Sequence, residues 1–595
     1  MSYIIDFEPI GLSIPCIEGN TIFEAARKVG IPIVSYCGGK TTCGRCKIRI
    51  IDGNVSQVSK NERNLLSEEE ITSNYRLACA MRVHSDIKVE IPLFSLTAIQ
   101  KLELFGTEPE IVLNPLINKY DLKLQKPSLE NPIAIWESVQ KSLANTYGLT
   151  NLYPDISFLQ NLSIKRKALN PKASVVIRNN ELIGINEPDQ DLYGVAIDIG
   201  TTKLAVYLVD LQSGKNVAIS GAMNPQILFG EDVMSRITYF VENQNDQLRK
   251  SLLEILNKII ITLIDEPQKI VDVCIVGNTA MHHLFIGLPV KQLGRAPYVP
   301  AIKHSLDVKA RELGLNVSKG AYIHFLPNIA GFVGADHVAM LLASGIYKSK
   351  KNVIGIDIGT NTEVALSVNG DISSLSCASG PAFEGAKIKH GMRASKGAIE
   401  KVTIRNNKVE FNVIGNVNPV GICGSGILDV VSQLREQKII DERGRLQNHN
   451  LVRQCQNVKE FLLVSKENSG IAQDIVFTQQ DISEIQLAKA AIRTGFNILL
   501  YESDITEDKI DEIIIAGAFG TYINVESAIK IGMFPFIPLD KFKQVGNAAG
   551  VGAKLCLLSK DYRSITESIA NRVKYLELTI HPKFTHEFSH SLQIP

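Results

Sequence analysis

The hydrophobic pattern changes period along this chain and divides it. Residues 3–7 and 12–16 alternate apolar and polar positions around Pro9-Ile10-Gly11, which predicts two short strands. GNTIFEAARKVGI then sets Phe23, Ala26 and Val29 on one helical face, with Asn20 or Thr21 as the cap. IKVEIP at 87–92 alternates again and predicts the strand that closes a first domain, 1–93. Residues 94–127 lose periodicity and predict a partly extended linker. A small middle domain follows at 128–190. There IAIWESVQKSLANTYG predicts a helix, the LSI piece at 162–164 and SVVIRNNELIGI predict strands, and Asn179-Asn180 marks a hairpin turn. From 191 to 595 apolar strands run into Gly-Thr turns: GVAIDIGTTKLAVYLVDLQSGK at 194–215 predicts strand, turn, strand, and IGIDIGTNTEVALSVNGD at 354–371 repeats it.

Composition excludes some function classes. At 595 residues the length suggests roughly three to five domains, and 45% hydrophobic with 21% charged residues is ordinary for a globular chain. A formal net charge of +1 gives no global pull toward nucleic acid or a membrane. One Trp and a 6% aromatic share argue against a stacking platform for single strands. The first residues carry Asp6 and Glu8 and no basic segment, so no secretory leader is expected. No apolar run reaches the ~18 residues of a membrane span; the best stretch, 328–346, contains Asp336 and His337. Six of the ten cysteines are scattered singly, which predicts reduced thiols in a cytoplasm.

The other four cysteines carry chemistry. Cys37, Cys43, Cys46 and Cys79 are spaced C-x5-C-x2-C followed by 32 residues and a fourth Cys. Four thiolates are what a [2Fe–2S] cluster takes, and the glycines of YCGGKTTCGRCKIRI let backbone N–H groups turn toward its sulfides. The segment resembles the adrenodoxin and putidaredoxin branch of [2Fe–2S] ferredoxins, since the plant type has C-x4-C at the first spacing. A structural zinc site is the alternative; such sites usually show two C-x2-C halves, and this chain has one such pair.

The repeated Asp-x-Gly-Thr turns point to phosphate. The glycine lets backbone approach a phosphate, the threonine hydroxyls and N–H groups bond its oxygens, and the aspartate holds Mg²⁺ or its water. One such hairpin is a weak signal, whereas two copies about 160 residues apart imply a duplicated domain with a cleft between halves. CIVGNTAMHHLF at 274–285, EIIIAGAFGTYI at 512–523 and GNAAGVGAKLCLL at 546–558 follow in the order found in the actin, sugar kinase and Hsp70 superfamily, which this region resembles. The resemblance implies phosphate contacts at Asp198, Gly200, Thr201 and Thr202, and again at Asp357, Gly359 and Thr360. It implies adenosine contacts at Gly517, Ala518 and Gly520. Asp198 and Asp357 are the expected catalytic carboxylates.

NPQILFGEDVMSRI (224–237), GPAFEGAKI (380–388), NPVGICGSGILD (418–429) and QLAKAAIRTG (486–495) extend the likeness over nearly the whole chain. Together they resemble the reductive activators of corrinoid enzymes. The resemblance implies a multidomain α+β and α/β chain: a β-grasp [2Fe–2S] ferredoxin, a small middle domain and a duplicated actin-like, ribonuclease H-like ATPase core. It implies ATP-dependent reduction of a corrinoid protein of a methyltransferase system from Co(II) to Co(I), with a low-potential electron donor. Homodimerisation stays open, as does service to another low-potential enzyme or an ATPase-like half that only docks. Ser379, in the family-like CASGPAFEG, is a candidate to face the corrinoid, with a turn serine as the alternative. Of His282 and His283, adjacent on a helix, one is expected packed and one exposed. His581, His586 and His590 alternate with Phe584 and Phe588 and suggest a packed edge segment rather than a metal site.

Overall fold

The computed structural model describes residues 2–8, 12–29, 31, 33–35, 37–92, 95, 106–124, 128–130, 132–164, 173–186, 190–385, 387–455, 458–517, 519–520 and 522–595. The turn at 9–11 and Ala518 lie outside these residues.

In the N-terminal domain Ser2–Glu8 pairs antiparallel with Leu12–Ile17 and parallel with Val83–Glu90, and Lys47–Val55 and Tyr75–Leu77 complete a five-stranded sheet. The helix Ile22–Lys28 covers it. Thr21 is its cap, closed by a reciprocal pair of bonds with Glu24 at 3.1 and 2.9 Å. Ile5, Phe7, Ile22, Phe23, Ile48 and Val89 form this domain's own core. Val29 is exposed, not on the packed face, because the helix stops at Lys28 and Val29 is its C-cap.

Beneath the four-cysteine loop Glu62, fully buried, takes two 2.9 Å bonds from the Arg76 guanidinium and one from the Leu77 N–H. Glu62→Ala would strand a buried guanidinium, and such broken pairs cost about 3–5 kcal/mol. The expected result is a chain that loses iron on mild heating well before the C-terminal halves unfold, followed by visible absorbance against circular dichroism.

The small unit is a four-stranded sheet, ordered Ile117–Leu122, Ala173–Arg178, Glu181–Asn186, Tyr153–Pro154. Two expectations change here. Residues 117–122 were expected within the linker, yet they form an edge strand in register with 173–178, from Ile117 opposite Arg178 to Leu122 opposite Ala173. Only Ile117 and Leu122 are buried in that strand, so no alternation marks it. The LSI piece ends the helix Ile156–Ile164 instead of forming a strand. Asp155 starts that helix by accepting the Ser157 N–H at 2.8 Å, and Phe158 and Leu162, four apart, are buried. The Asn179-Asn180 turn is present, with Asn179 at φ 54°. Upstream, 106–114 runs pinned along the C-terminal region, with Glu108 on Lys554 at 2.8 Å and the Asn114 N–H on the Leu558 carbonyl at 3.0 Å.

Two larger sheets repeat one topology. In the first, Asn216–Met223, Lys203–Asp210 and Tyr193–Ile199 form an antiparallel meander, and Ile270–Gly277 and Tyr322–Phe325 add in parallel. In the second, Asp371–Cys377, Thr362–Val368 and Val353–Ile358 form the meander, and Glu512–Ala516 and Phe542–Gly546 add in parallel. This shared order is the duplication expected from the hairpins. Parallel strands buried on both faces read as continuous apolar runs, as IVDVCIVG does. The helices Ala335–Ala343 and Ala548–Leu558 lie between the sheets in a common core. At the end of the chain Phe584 and Phe588 stack at 5.7 Å on the helix Phe584–Ser591 and pack on the second half, so this segment is a packed one and its spacing is helical. Among the described residues no helix is long and apolar enough to cross a membrane.

Candidate functional site

The two meanders face each other with their first turns across a cleft. Asp198 is the penultimate residue of Tyr193–Ile199, and Asp357 holds the same place in Val353–Ile358. Gly200 permits the first turn: a Cβ there would stand 2.7 Å from the Lys203 carbonyl. Gly517 closes over the second hairpin, where a Cβ would meet an Asp357 carboxylate oxygen at 2.5 Å.

Side chains from other elements position these hairpins. Asn547 caps the helix Ala548–Leu558 and donates to Asp198 at 2.9 Å. Asn278 caps the helix Thr279–Ile286 and donates to the Thr201 hydroxyl at 2.9 Å. The fully buried Arg236 holds the Thr201 carbonyl. Thr202 and Thr360, one from each hairpin, both donate to Glu384, at 3.1 and 2.7 Å. Gly359, Gly517 and the aromatic rings of Phe519 and Tyr522 complete the lining. Gly520 lies just behind, with its Cβ position 2.3 Å from the Ala516 carbonyl.

Two further carboxylates join the aspartates. The hairpin register sets Glu363 opposite Asp357, and Asp336 stands in the first turn of Ala335–Ala343. Burial, then their mutual repulsion, pushes Asp198 up to about 7 and Asp336 up to about 8; burial raises Asp357 to about 6 and Glu363 well above the usual range. Among the described residues no three of these carboxylates converge on one ion, but Mg²⁺ keeps several waters and takes one or two carboxylates beside a nucleotide phosphate, a number that Asp198 and Asp357 can supply. The sign of the pH effect follows. Below pH ~3 neither the folded nor the unfolded chain ionises these groups appreciably. From there to pH 8 the unfolded chain loses protons first, so stability without a cation falls as pH rises. A divalent cation with its nucleotide would select the ionised form. The dissociation constant of Mg–ADP is therefore expected to fall roughly tenfold or more from pH 6 to pH 8, read by titration calorimetry.

The four cysteines stand at the edge of the N-terminal domain as two pairs: Cys46 and Cys79 sulfurs are 3.2 Å apart, and the Cys43 thiol donates to the Cys37 sulfur. Among the described residues no three His, Cys, Asp or Glu groups converge on one metal ion, but a [2Fe–2S] cluster takes two thiolates on each of two irons. The loop between them is built for it. Gly38, Gly39, Thr41 and Gly44 all have φ between 55° and 93°, which curls the backbone around the sulfurs. The Thr41 hydroxyl reaches Cys79 at 3.4 Å.

Some expected residues lie elsewhere. Ser379 is buried and its hydroxyl bonds Thr362 at 2.9 Å, so it braces the second hairpin. His282 and His283 are both buried, neither exposed. The helix that bears them is covered on two sides: His283 bonds the Thr279 carbonyl and the Ala301 N–H at 2.7 and 2.9 Å, and His282 meets the Phe325 ring edge. Asp336, Glu363, Glu384, Asn278 and Asn547 are residues the sequence reading missed. For the two asparagines a signal existed: Val276-Gly277-Asn278-Thr279-Ala280 and Val545-Gly546-Asn547-Ala548-Ala549 are one repeated motif.

Comparison with known proteins adds the following. The chain matches four family models, described as the 2Fe-2S iron-sulfur cluster binding domain over 5–84, the RACo linker region over 106–191, the RACo middle region over 193–349, and the C-terminal domain of RACo, the ASKHA domain, over 351–595. It is 31% identical to the corrinoid activation enzyme RamQ of Eubacterium limosum, over 96% of this chain and 95% of that protein. It is 24% identical to the [Co(II) methylated amine-specific corrinoid protein] reductase of Methanosarcina barkeri, over 64% and 73%. Among solved structures, a reductive activator for corrinoid, iron-sulfur protein superposes with a TM-score of 0.73 at 35% identity, covering 100% of this chain and 98% of that one.

Proposed function

Because this chain belongs to the RACo family of corrinoid activators, we propose that it reductively activates a corrinoid protein, passing one electron to Co(II) to restore Co(I) and using ATP to drive the step. The observation that carries this reading is the joining, in one chain matched from end to end, of a four-thiol ferredoxin loop and a doubled Asp-Gly-Thr cleft. The functional units are taken as 1–93, a linker that ends before Ile117, a small domain that takes in the strand Ile117–Leu122 and runs to 190, and the two-lobed core 191–595.

Cys37, Cys43, Cys46 and Cys79 hold the cluster, which supplies one-electron carriage when bound. Asp198 and Asp357, with Asp336 and Glu363 beside them, hold Mg²⁺ on the nucleotide. Thr201, Thr202 and Thr360 bond its phosphates, and the segment around Gly517 and Gly520 passes the adenosine. A low-potential donor reduces the cluster, and the scattered reduced thiols fit action in the cytoplasm. ATP is needed because Co(II)/Co(I) lies below even a plant-type ferredoxin cluster at about −400 mV, and each ~59 mV of gap is a tenfold disadvantage for one electron. Nucleotide binding to a two-lobed cleft offsets that gap if the lobes differ in affinity for the partner between their two arrangements.

The test is direct. Cluster-loaded protein, a strong reductant and a cobalamin-binding methyl-transfer protein are mixed, and the cobalt absorbance is followed. Co(I) is expected to accumulate only when Mg–ATP is added. Equal Co(I) without ATP would end the coupling argument, and no cobalt change with ATP would end the functional reading.

A further inference from the structure

The four-thiol loop does not stand apart from the cleft; it is seated across the rim of it. Arg45, between Cys43 and Cys46, donates its guanidinium to the backbone carbonyls of Ile388 and Lys389 in the second half. On the other side of the rim, Gly38 packs with its Cβ position 3.2 Å from the Phe229 carbonyl. Arg27, at the end of the ferredoxin helix, lies 3.7 Å from the centre of the Phe229 ring and 5.6 Å from that of Tyr239. Lys40 pairs with Glu242 at 3.5 Å. Phe229, Tyr239 and Glu242 belong to the first half, so the ferredoxin domain bridges both.

One continuous segment links this seat to the phosphate hairpins. Residues 381–384 form a 3-10 turn bounded by Gly380 and Gly385, at φ 70° and 83°, conformations only glycine adopts at little cost. At the inner end of the turn is Glu384, holding Thr202 and Thr360. Farther along, Arg393 forms a nearly buried ion pair with Glu231 of the first half at 2.7 Å. Between these lie Ile388 and Lys389, the carbonyls that hold Arg45. The opposite partner of each contact is equally close in sequence: Glu231 is two residues from Phe229. Cleft, inter-lobe tie and ferredoxin seat are thus three layers of the same two segments, 224–242 and 380–393.

The hydroxyls of Thr202 and Thr360 are the donors the hairpins would offer to a phosphate. A carboxylate and a phosphate cannot share one pair of donors, and at that separation they repel. We propose that the ferredoxin domain is a nucleotide-released plug. Binding of a nucleoside triphosphate displaces Glu384, the turn between Gly380 and Gly385 moves, and the carbonyls of 388–389 let go of Arg45. The cluster loop is then free to turn from the rim toward the corrinoid partner. This rests on the nucleotide reading of the cleft and adds to it the device that times electron delivery. Coupling is reciprocal, so whatever loosens the plug must also tighten nucleotide binding by the same factor.

The experiment is hydrogen–deuterium exchange on the full, cluster-loaded chain with and without Mg–AMP-PNP, paired with calorimetric titration of that analogue. Saturating analogue is expected to speed exchange in 37–46 and 387–393 by about tenfold, within the roughly 5–150-fold range of site-to-site coupling. Glu384→Ala is expected to exchange fast in both segments without analogue, to show no further rise with it, and to bind it several-fold tighter. Arg27→Ala, outside the cluster loop, is expected to speed exchange in 37–46 with unchanged cluster absorbance, and to tighten the analogue as well. If the analogue binds and exchange in 37–46 does not change, or if Glu384→Ala binds it more weakly, the plug is refuted and the nucleotide site stands. If the titration shows no binding of the analogue to the parent chain, the reading of the cleft falls and the plug falls with it.

Discussion

Asp357→Ala is expected to lower ATP hydrolysis by roughly 100-fold or more while leaving iron content unchanged, as losses of a carboxylate that would hold the phosphate-bound metal ion do. Asp198→Ala is expected to do the same, because the two residues hold equivalent places in duplicated strands and face one cleft. A second readout separates a chemical role from a structural one. Both carboxylates are pushed up, to about 6 and about 7, chiefly by burial, so ionising them works against the fold. Near pH 8, removing either is therefore expected to hold or raise the melting temperature while activity collapses, the opposing changes of a strained site. Steady-state phosphate release and thermal unfolding, measured on the same samples, check this. Hydrolysis at the parent's rate in both variants would mean the cleft does not turn over nucleotide and would favour a docking role for the C-terminal halves.

Cys43→Ala is expected to abolish the red-brown colour and all cobalt reduction. Cys43 and Cys37 form one of the two thiol pairs, and with one thiolate missing an iron loses half its protein ligands. ATP hydrolysis is expected to persist, because the ferredoxin domain has its own apolar core around Phe7, Phe23 and Ile48, distinct from those of the two larger sheets. Iron and labile-sulfide assay, with phosphate release alongside, gives the result. A full complement of two irons in this variant would remove Cys43 from the ligand set.

The elements legible in the sequence are those whose cause is local. Thr21 and Glu24 stand three apart, and the capping box they form needs nothing beyond the first turn of their helix. Asn179-Asn180 marks its hairpin for the same reason: asparagine tolerates the left-handed turn. The two Asp-x-Gly-Thr hairpins were visible because each is a single strand–turn–strand. Their duplication was visible because the copies keep the same spelling. The strand at 117–122 and the helix end at 162–164 were not visible. The first is set in register by backbone pairing to 173–178 and buries only its two end residues, Ile117 and Leu122, and the second depends on a cap, Asp155, that the apolar pattern does not register.

By itself, then, the sequence determined the four thiols, the two phosphate turns and the family they spell, since each is a short-range spacing with one chemical use. Only the tertiary structure decided what those parts face. It sets Asp336 and Glu363 beside the aspartates, buries both histidines of the pair, turns Ser379 back onto Thr362, and places Glu384 between hydroxyls that lie 182 and 24 residues away from it. The reason is geometric. A buried carboxylate is defined by which groups surround it, and those groups arrive from sheets and helices whose meeting is written in no single stretch of chain.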